Sequence, residues 1–321
     1  MTDADARVSG PFPIRPDDLP ALNALFSDSF SERYRRDGMV GVRVPPLNPV
    51  IWRFAIDGAG AGAMLWRDGL GRIAAFNLAH VSGTEGWMGP LAVREDLQGK
   101  GLGRTIVRAG IEHLRAAGCR MIGLETMPRT MDNIGFYAGL GFLPGRLTIT
   151  LTLEATPTTD VRPPLLSEHG SAERVAVIAE AAAVARSVRE GSDYSQELAL
   201  TLRHALGDAV LLRDDRGILR GFALFHDVPL VEGRSRDEIR VLKLVLAEAT
   251  AMPRMAEALA VQARRSGALR VALRVQGEYP SVFRALVARG AHVRWTDLRM
   301  TLAGFDEVPA PSGVILSNWE I

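Results

Sequence analysis

Eight consecutive residues, Gln98-Gly99-Lys100-Gly101-Leu102-Gly103-Arg104-Thr105, limit the folds open to this chain more than any other stretch. The apolar run Trp87 to Val93 ahead of them reads as a strand. Behind them Ile106, Val107, Ile111 and Leu114 recur at helical spacing until Gly118. The order is strand, glycine-rich loop, helix. Glycine at 99, 101 and 103 removes the side chains that would hold a ligand away from backbone N–H groups. A helix start leaves N–H groups without partners and adds partial positive charge. Such a loop is a natural pyrophosphate cradle, and Lys100 and Arg104 add charge for anionic oxygens.

Two familiar phosphate loops do not fit. The P-loop pattern G-x-x-x-x-G-K-[ST] is absent. The dinucleotide fingerprint needs its third glycine elsewhere and a tight turn, where this chain inserts Arg94-Glu95-Asp96-Leu97. The glycine spacing therefore speaks against a nicotinamide oxidoreductase. What fits is Q-x-x-G-x-G after a strand ending Leu91-Ala92-Val93. That pattern resembles the acyl-CoA motif of the GNAT superfamily of N-acetyltransferases. Downstream, Tyr137-Ala138-Gly139-Leu140-Gly141-Phe142 is similar to that family's second signature, Tyr-x-x-Leu-Gly-Phe.

The chain has 321 residues, more than one typical domain of about 100–200. Hydrophobic residues at 47% and charged residues at 23% are ordinary for a folded globular protein. A net charge of +1 gives no case for a nucleic-acid or acidic-membrane partner. The single cysteine, Cys119, excludes an intramolecular disulfide and a cysteine-rich zinc site. The scattered histidines form no metal-ligand pattern, so no metal is expected. No run of about 20 apolar residues exists, and the start, with Asp3 and Asp5, does not read as a secretory signal. A cytoplasmic location is the simplest expectation.

Residues 1–15 read as a loose lead-in or first strand. A helix starts at Asp17-Asp18 with Leu19, Leu22, Leu25 and Phe26 as its buried stripe, and Phe30 to Arg36 reads as a second short helix. Val50–Ile56, Gly62–Trp66, Ile73–His80 and Trp87–Val93 read as an antiparallel meander, with turns at Asp57-Gly58, Asp68-Gly69 and Ser82-Gly83. Cys119–Leu124 is then a strand parallel to Trp87–Val93, followed by a helix over Met131–Gly139 and a strand over Arg146–Leu153. Three prolines and three threonines in 154–164 mark a linker. The segment 165–321 repeats the order strand, helix, strand, helix, strand. The expected fold is α+β: two tandem GNAT-like domains, each a mixed central sheet flanked by helices, over 1–153 and 165–321. The second copy reads Glu248-Ala249-Thr250-Ala251-Met252-Pro253 where the first has its glycine loop, and Leu286 where the first has Tyr137. It is expected to be catalytically silent, with one CoA per chain.

The resemblance also implies a chemistry. Acetyl-CoA would be the cosubstrate and a small-molecule primary amine the acceptor, with direct attack in a ternary complex. Leu91, Ala92 and Val93 would bind the pantetheine arm, and Gln98, Gly99, Lys100, Gly101, Leu102, Gly103, Arg104 and Thr105 the pyrophosphate. Tyr137 would protonate the departing thiolate, as its ordinary pKa of about 10 permits. Family members with a glutamate base carry it at the position of Trp87; Glu85 lies two residues earlier, and Glu125 competes with it, as does a water relay. Phe26, Phe30 and Tyr34 are candidates for acceptor contact, and His80 ends a strand near the expected cleft. Thr130 stands where many members have an asparagine against the CoA arm, with Asn133 close by. Amino acid, aminoglycoside, polyamine, thiol-sugar amine and protein N-terminus all remain open as acceptors. A reading of another class is a CoA-responsive binding or regulatory module without turnover.

Overall fold

The computed structural model describes residues 8–320. The first seven residues of the expected lead-in therefore lie outside the described residues, and Ser9–Pro13 forms the first strand, β1. Helix α1 (Leu19–Arg36) follows and runs unbroken, so the short helix expected over Phe30–Arg36 is its last two turns. The run Val50–Ile56 is not a strand. It lies in helix α2 (Pro49–Ala59), because the Asn48 side chain accepts a hydrogen bond from Val50 N and Pro49 takes the first turn. Strands β2 (Ala63–Arg67), β3 (Ile73–Ser82) and β4 (Glu85–Val93) then form the antiparallel meander. Helix α3 (Leu102–Ala116) crosses to strand β5 (Met121–Thr126), which pairs parallel with β4. Helix α4 (Met131–Ala138) and strand β6 (Phe142–Glu154) complete the first half.

The second half runs α5 (Ser171–Val188), α6 (Ser195–Arg203), β7 (Gly207–Arg213), β8 (Leu219–His226), β9 (Glu238–Leu246), α7 (Met252–Arg265), β10 (Arg270–Gln276), α8 (Pro280–Ala288) and β11 (His292–Leu302). A twelfth strand, β12 (Val314–Ser317), has no counterpart in the sequence reading.

All twelve strands belong to one sheet, ordered β1-β2-β3-β4-β5-β11-β6-β10-β9-β8-β7, with β12 paired to β9 off this path. The two halves interlock. Strand β11 from the second half lies between β5 and β6 of the first, pairing Leu298↔Thr126 on one side and Leu298↔Leu147 on the other. Strand β6 in turn pairs with β10 over its length, from Glu154↔Arg270 to Thr148↔Gln276. The tandem domains thus divide the chain but not the sheet.

Alternation along the strands gives each half two apolar faces. In the first half Leu65, Phe76 and Leu78 pack against Leu22, Phe26 and Trp52 of α1 and α2. On the opposite face Ala75, Ala79 and Met88 meet Ile106, Val107, Ile111 and Leu114 of α3. Helix α3 sits close to the sheet because residue 110 is glycine: a Cβ there would meet Met88 Sδ at 2.5 Å and Asn77 Nδ2 at 2.6 Å. The Asn77 amide donates to Ile106 O at 3.0 Å and fixes the helix against β3.

Candidate active site

The cleft begins where two strands part. Strands β4 and β5 pair only from Glu85↔Met121 to Met88↔Leu124. On its other edge β4 stays paired with β3 to Ala75↔Val93, with an extra residue accommodated between Met88 and Leu91. The backbone of Leu91–Val93 therefore has a partner strand on one side and an opening on the other. At the end of that opening Gly101, with φ +86°, makes the left-handed turn from which α3 starts. A side chain at this position would be strained.

The cavity so formed has a volume of about 700 Å³. Leu91, Ala92 and Val93 line it, as do Gln98, Gly99, Gly101, Gly103 and Arg104. Lys100, Leu102 and Thr105 do not; the Lys100 ammonium donates back to Asp96 O at 2.8 Å. The Gln98 amide donates to Val93 O at 2.9 Å and its oxygen accepts from Arg36 at 3.2 Å, which ties the loop to β4 and α1. Asn133 and Tyr137 of α4 also face the cavity. Burial pushes the Tyr137 hydroxyl up to about 12, so it holds its proton at neutral pH. Thr130 instead donates to Asp37 at 2.5 Å and joins α4 to the end of α1.

The two expected bases separate. Glu85 does not line this cavity. It is a buried anion between the halves, accepting from Arg189, from Ser317, from Trp319 Nε1 at 2.7 Å and from Tyr194 at 3.2 Å. Burial pushes its carboxyl up, but the charges of Arg189 and Lys243 and these donors prevail and hold it at about 2. Glu125 does line the cavity, yet Arg274 at 2.6 Å, Arg299 at 2.9 Å and the Thr148 hydroxyl at 2.5 Å hold it. Burial is again outweighed by the two arginines, and its carboxyl lies at about 2. Both are fixed anions at neutral pH and poorly suited to take a proton. His80 stacks on Trp87 with ring centroids 4.0 Å apart, and burial lowers it to about 3, so it is neutral and outside the cavity.

Of the aromatic candidates, Phe30 and Tyr34 line the cavity. Phe26 does not; it packs edge-on against Trp52 in the core. The wall facing Tyr34 comes from residues the sequence reading did not single out: Trp295 and Asp297 of β11, and Glu320. Their signal in the sequence is slight, an acid and an aromatic at alternate positions of a strand assigned to the second half.

The corresponding opening of the second half is filled. Strands β9 and β10 pair only from Glu238↔Arg270 to Arg240↔Ala272. Beyond that point β12 takes the vacated edge of β9, from Lys243↔Ser317 to Leu246↔Val314. The chain's own strand occupies the place that β4 leaves open.

No helix of the described residues is long and apolar enough to cross a membrane, and the described residues hold no group of three or more metal-ligating side chains.

Residues 21–142 match the Acetyltransferase (GNAT) family. No curated protein sequence matches the chain. Among solved structures, the chain is similar to a GCN5-related N-acetyltransferase from Sphaerobacter thermophilus at 16% identity and TM-score 0.59, covering 98% of each chain. It is also similar to a tandem GNAT protein from the clavulanic acid biosynthesis pathway, at 13% identity and TM-score 0.55, over 92% of this chain and 98% of that one. A third similar structure is Saccharomyces cerevisiae N-myristoyltransferase with bound myristoyl-CoA, at 11% identity and TM-score 0.62, over 98% of this chain and 86% of that one. Acyl transfer from an acyl-CoA is the chemistry this family supports. The Q-x-x-G-x-G loop, the parted strands and Tyr137 all lie within the stretch that matches the GNAT family, and the whole chain has the tandem GNAT fold.

Proposed function

We propose that this chain is a cytoplasmic N-acyltransferase that moves an acetyl group from acetyl-CoA to a primary amine of a small molecule, by direct attack while both are bound. One observation carries the reading: the open edge of β4, the glycine turn that starts α3 and Tyr137 all line one cavity. In this reading residues 1–153 are the catalytic domain, 154–164 the linker and 165–321 a silent second copy whose cleft β12 fills.

Within the loop from Gln98 to Thr105, the residues that line the cavity, Gln98, Gly99, Gly101, Gly103 and Arg104, receive the pyrophosphate. Leu91–Val93 and Asn133 hold the pantetheine arm, and one N–H of that edge faces the thioester oxygen. A fixed donor there contributes about 3 kcal/mol to the transition state. The amine nitrogen forms a bond to the carbonyl carbon, and the carbon–sulfur bond breaks. Tyr137 gives its proton to the thiolate, and the nitrogen returns its surplus proton to the phenolate.

Calorimetric titration with acetyl-CoA tests the cradle. One site per chain is expected, lost in a Gly101→Val, Gly103→Val double variant; no binding to the native chain would end the proposal. CoA release with a panel of amines tests the chemistry, with Tyr137→Phe expected to be slower by about 100-fold. A second reading, a CoA-responsive module without turnover, is favoured by the pairing of both Glu85 and Glu125 with arginines. CoA binding without release on any acceptor would select it.

A further inference from the structure

We propose that the part of the cleft between α1 and β11 is an acceptor site for a diamine, with Asp297 receiving the reacting ammonium and Glu320 the distal one. This rests on the acyl-transfer reading above and adds the class of acceptor to it.

Charge favours a dication here. Arg274 is shared by Glu125 at 2.6 Å, Glu320 at 2.8 Å and Asp297 at 3.0 Å. Arg299 is shared by Glu125 and Glu307, at 2.9 and 2.8 Å. Four carboxylates thus share two guanidinium groups at ion-pair distance, an excess of two acids in this cluster. Extending the network through Arg189 and Lys243 adds Glu85 and Glu197 as well, so the excess stays at two. A dicationic amine carries the two charges that balance it. The cations that line the cavity, Arg33, Arg36 and Arg104, lie toward the glycine loop and the start of α4, where Arg33 and Arg36 pair with Asp132 and Glu95.

Asp297 is placed to meet the reacting ammonium. Asp297 is 4% exposed and lines the cavity. Its Oδ1 accepts from Trp295 Nε1 at 3.2 Å. Its Oδ2 lies 3.0 Å from Arg274 but outside hydrogen-bonding geometry, and has no donor. Oδ2 is thus held by charge and not by a hydrogen bond, and it is the Asp297 side chain as a whole that borders the cavity. Burial first, and then the charge of Glu320, raise the Asp297 carboxyl to about 7 against the pull of Arg274, which suits a group that exchanges a proton near neutral pH.

Tyr34 and Trp295 stand with ring centroids 6.4 Å apart at the mouth of this region. Tyr34, Asp297 and Glu320 line the same cavity, and burial and then the charges of the two acids raise the Tyr34 hydroxyl. Aromatic faces next to carboxylates attract ammonium groups. An amino acid would instead bring its own carboxylate against Asp297 and Glu320, where no free guanidinium faces the cavity. In the reaction the bound ammonium gives one proton to Asp297 and attacks as the free amine, and Asp297 later releases that proton to water.

Three amines of equal length separate the possibilities: 1,6-diaminohexane, hexylamine and 6-aminohexanoate, each assayed with acetyl-CoA by CoA release on the full chain. The diamine is expected to have the highest kcat/KM, with hexylamine lower by roughly fivefold and 6-aminohexanoate lower by at least roughly tenfold. Glu320→Gln should narrow the diamine-to-hexylamine ratio toward one. Asp297→Asn should lower kcat for every amine by roughly 100-fold and remove the pH dependence near neutrality. A zwitterion used as well as the diamine, or a ratio unmoved by Glu320→Gln, overturns the proposal. Acetyl-CoA bound but transferred to none of the three overturns this acceptor class alone; acetyl-CoA not bound at all overturns the acyl-transfer reading beneath it.

Discussion

Replacing Trp319 tests how the second half builds the acceptor wall. This side chain is 2% exposed and packs with Trp87 and Met121. Its Nε1 donates to Glu85 at 2.7 Å, and the Arg299 guanidinium lies 3.7 Å from the ring centroid. It thereby anchors the segment that carries Glu320. Trp319→Phe keeps most of the packing and removes one donor to a buried carboxylate. That costs about 1.5 kcal/mol, the low end for such a bond, because Ser317 still donates to the same oxygen. Trp319→Ala removes the ring as well and should cost about 4 kcal/mol. Urea denaturation followed by tryptophan fluorescence and circular dichroism measures both. The kinetic expectation differs in kind: Trp319→Ala, with Glu320 unanchored, loses the preference for diaminohexane over hexylamine, whereas Trp319→Phe keeps it. Equal costs below about 1 kcal/mol, or a preference that survives Trp319→Ala, would refute the anchoring argument.

Four other outcomes are expected. With Asp297 raised to about 7, its charged form is the minor one in mild acid, so kcat/KM should rise with pH through neutrality. The groups that set this limb are Glu320, Glu125, Arg274 and Trp295 around it, and Asp297→Asn should flatten it. Glu85 and Glu125 are held at about 2, below the ordinary 4.5, so each stabilises the fold above pH 4.5 by about 3 kcal/mol. That contribution disappears as pH falls from 4.5 to 2, and the urea midpoint should fall over the same window, less steeply in Glu85→Gln. Gly110→Val, which forces a side chain into Met88 and Asn77, should lower the melting temperature and weaken acetyl-CoA binding by displacing α3. Arg274→Met leaves three carboxylates without their shared partner and should destabilise by about 4 kcal/mol, measured by the same urea titration.

What was legible in the sequence is what is local. The glycine loop, Leu91–Val93 and Tyr137 form the cavity from short stretches whose spacing alone carries the pattern. The strand expected over Trp87–Val93 and the helix expected over Met131–Gly139 fall within two residues of their observed bounds, Glu85–Val93 and Met131–Ala138, because their patterns are local. The error at Val50–Ile56 has a local cause too: an apolar run with β-branched residues outweighed the Asn48-Pro49 helix start. The remainder is long-range. Nothing near Trp295 or Asp297 states that their strand will lie beside β5, more than 150 residues earlier, rather than beside its own neighbours. The same exchange accounts for Glu125, which the resemblance offered as a base. Its arginines, Arg274 and Arg299, come from β10 and β11. Glu85 is held in the same manner by Arg189 and Trp319.

The interlocked strands also order events during synthesis. When residue 154 has left the ribosome, β5 and β6 both exist, yet they have no hydrogen bonds to exchange, because each is shaped to pair with β11. Two open edges persist until residue 302 emerges, the kind of edge that recruits other chains when left exposed. Pairings of such sequence separation close late and slowly. The cosubstrate cradle, built from nearby residues, can be in place while the acceptor wall is still untranslated. On the proposed reading, a nascent chain passes through a period in which the cradle is complete and the acceptor wall is absent.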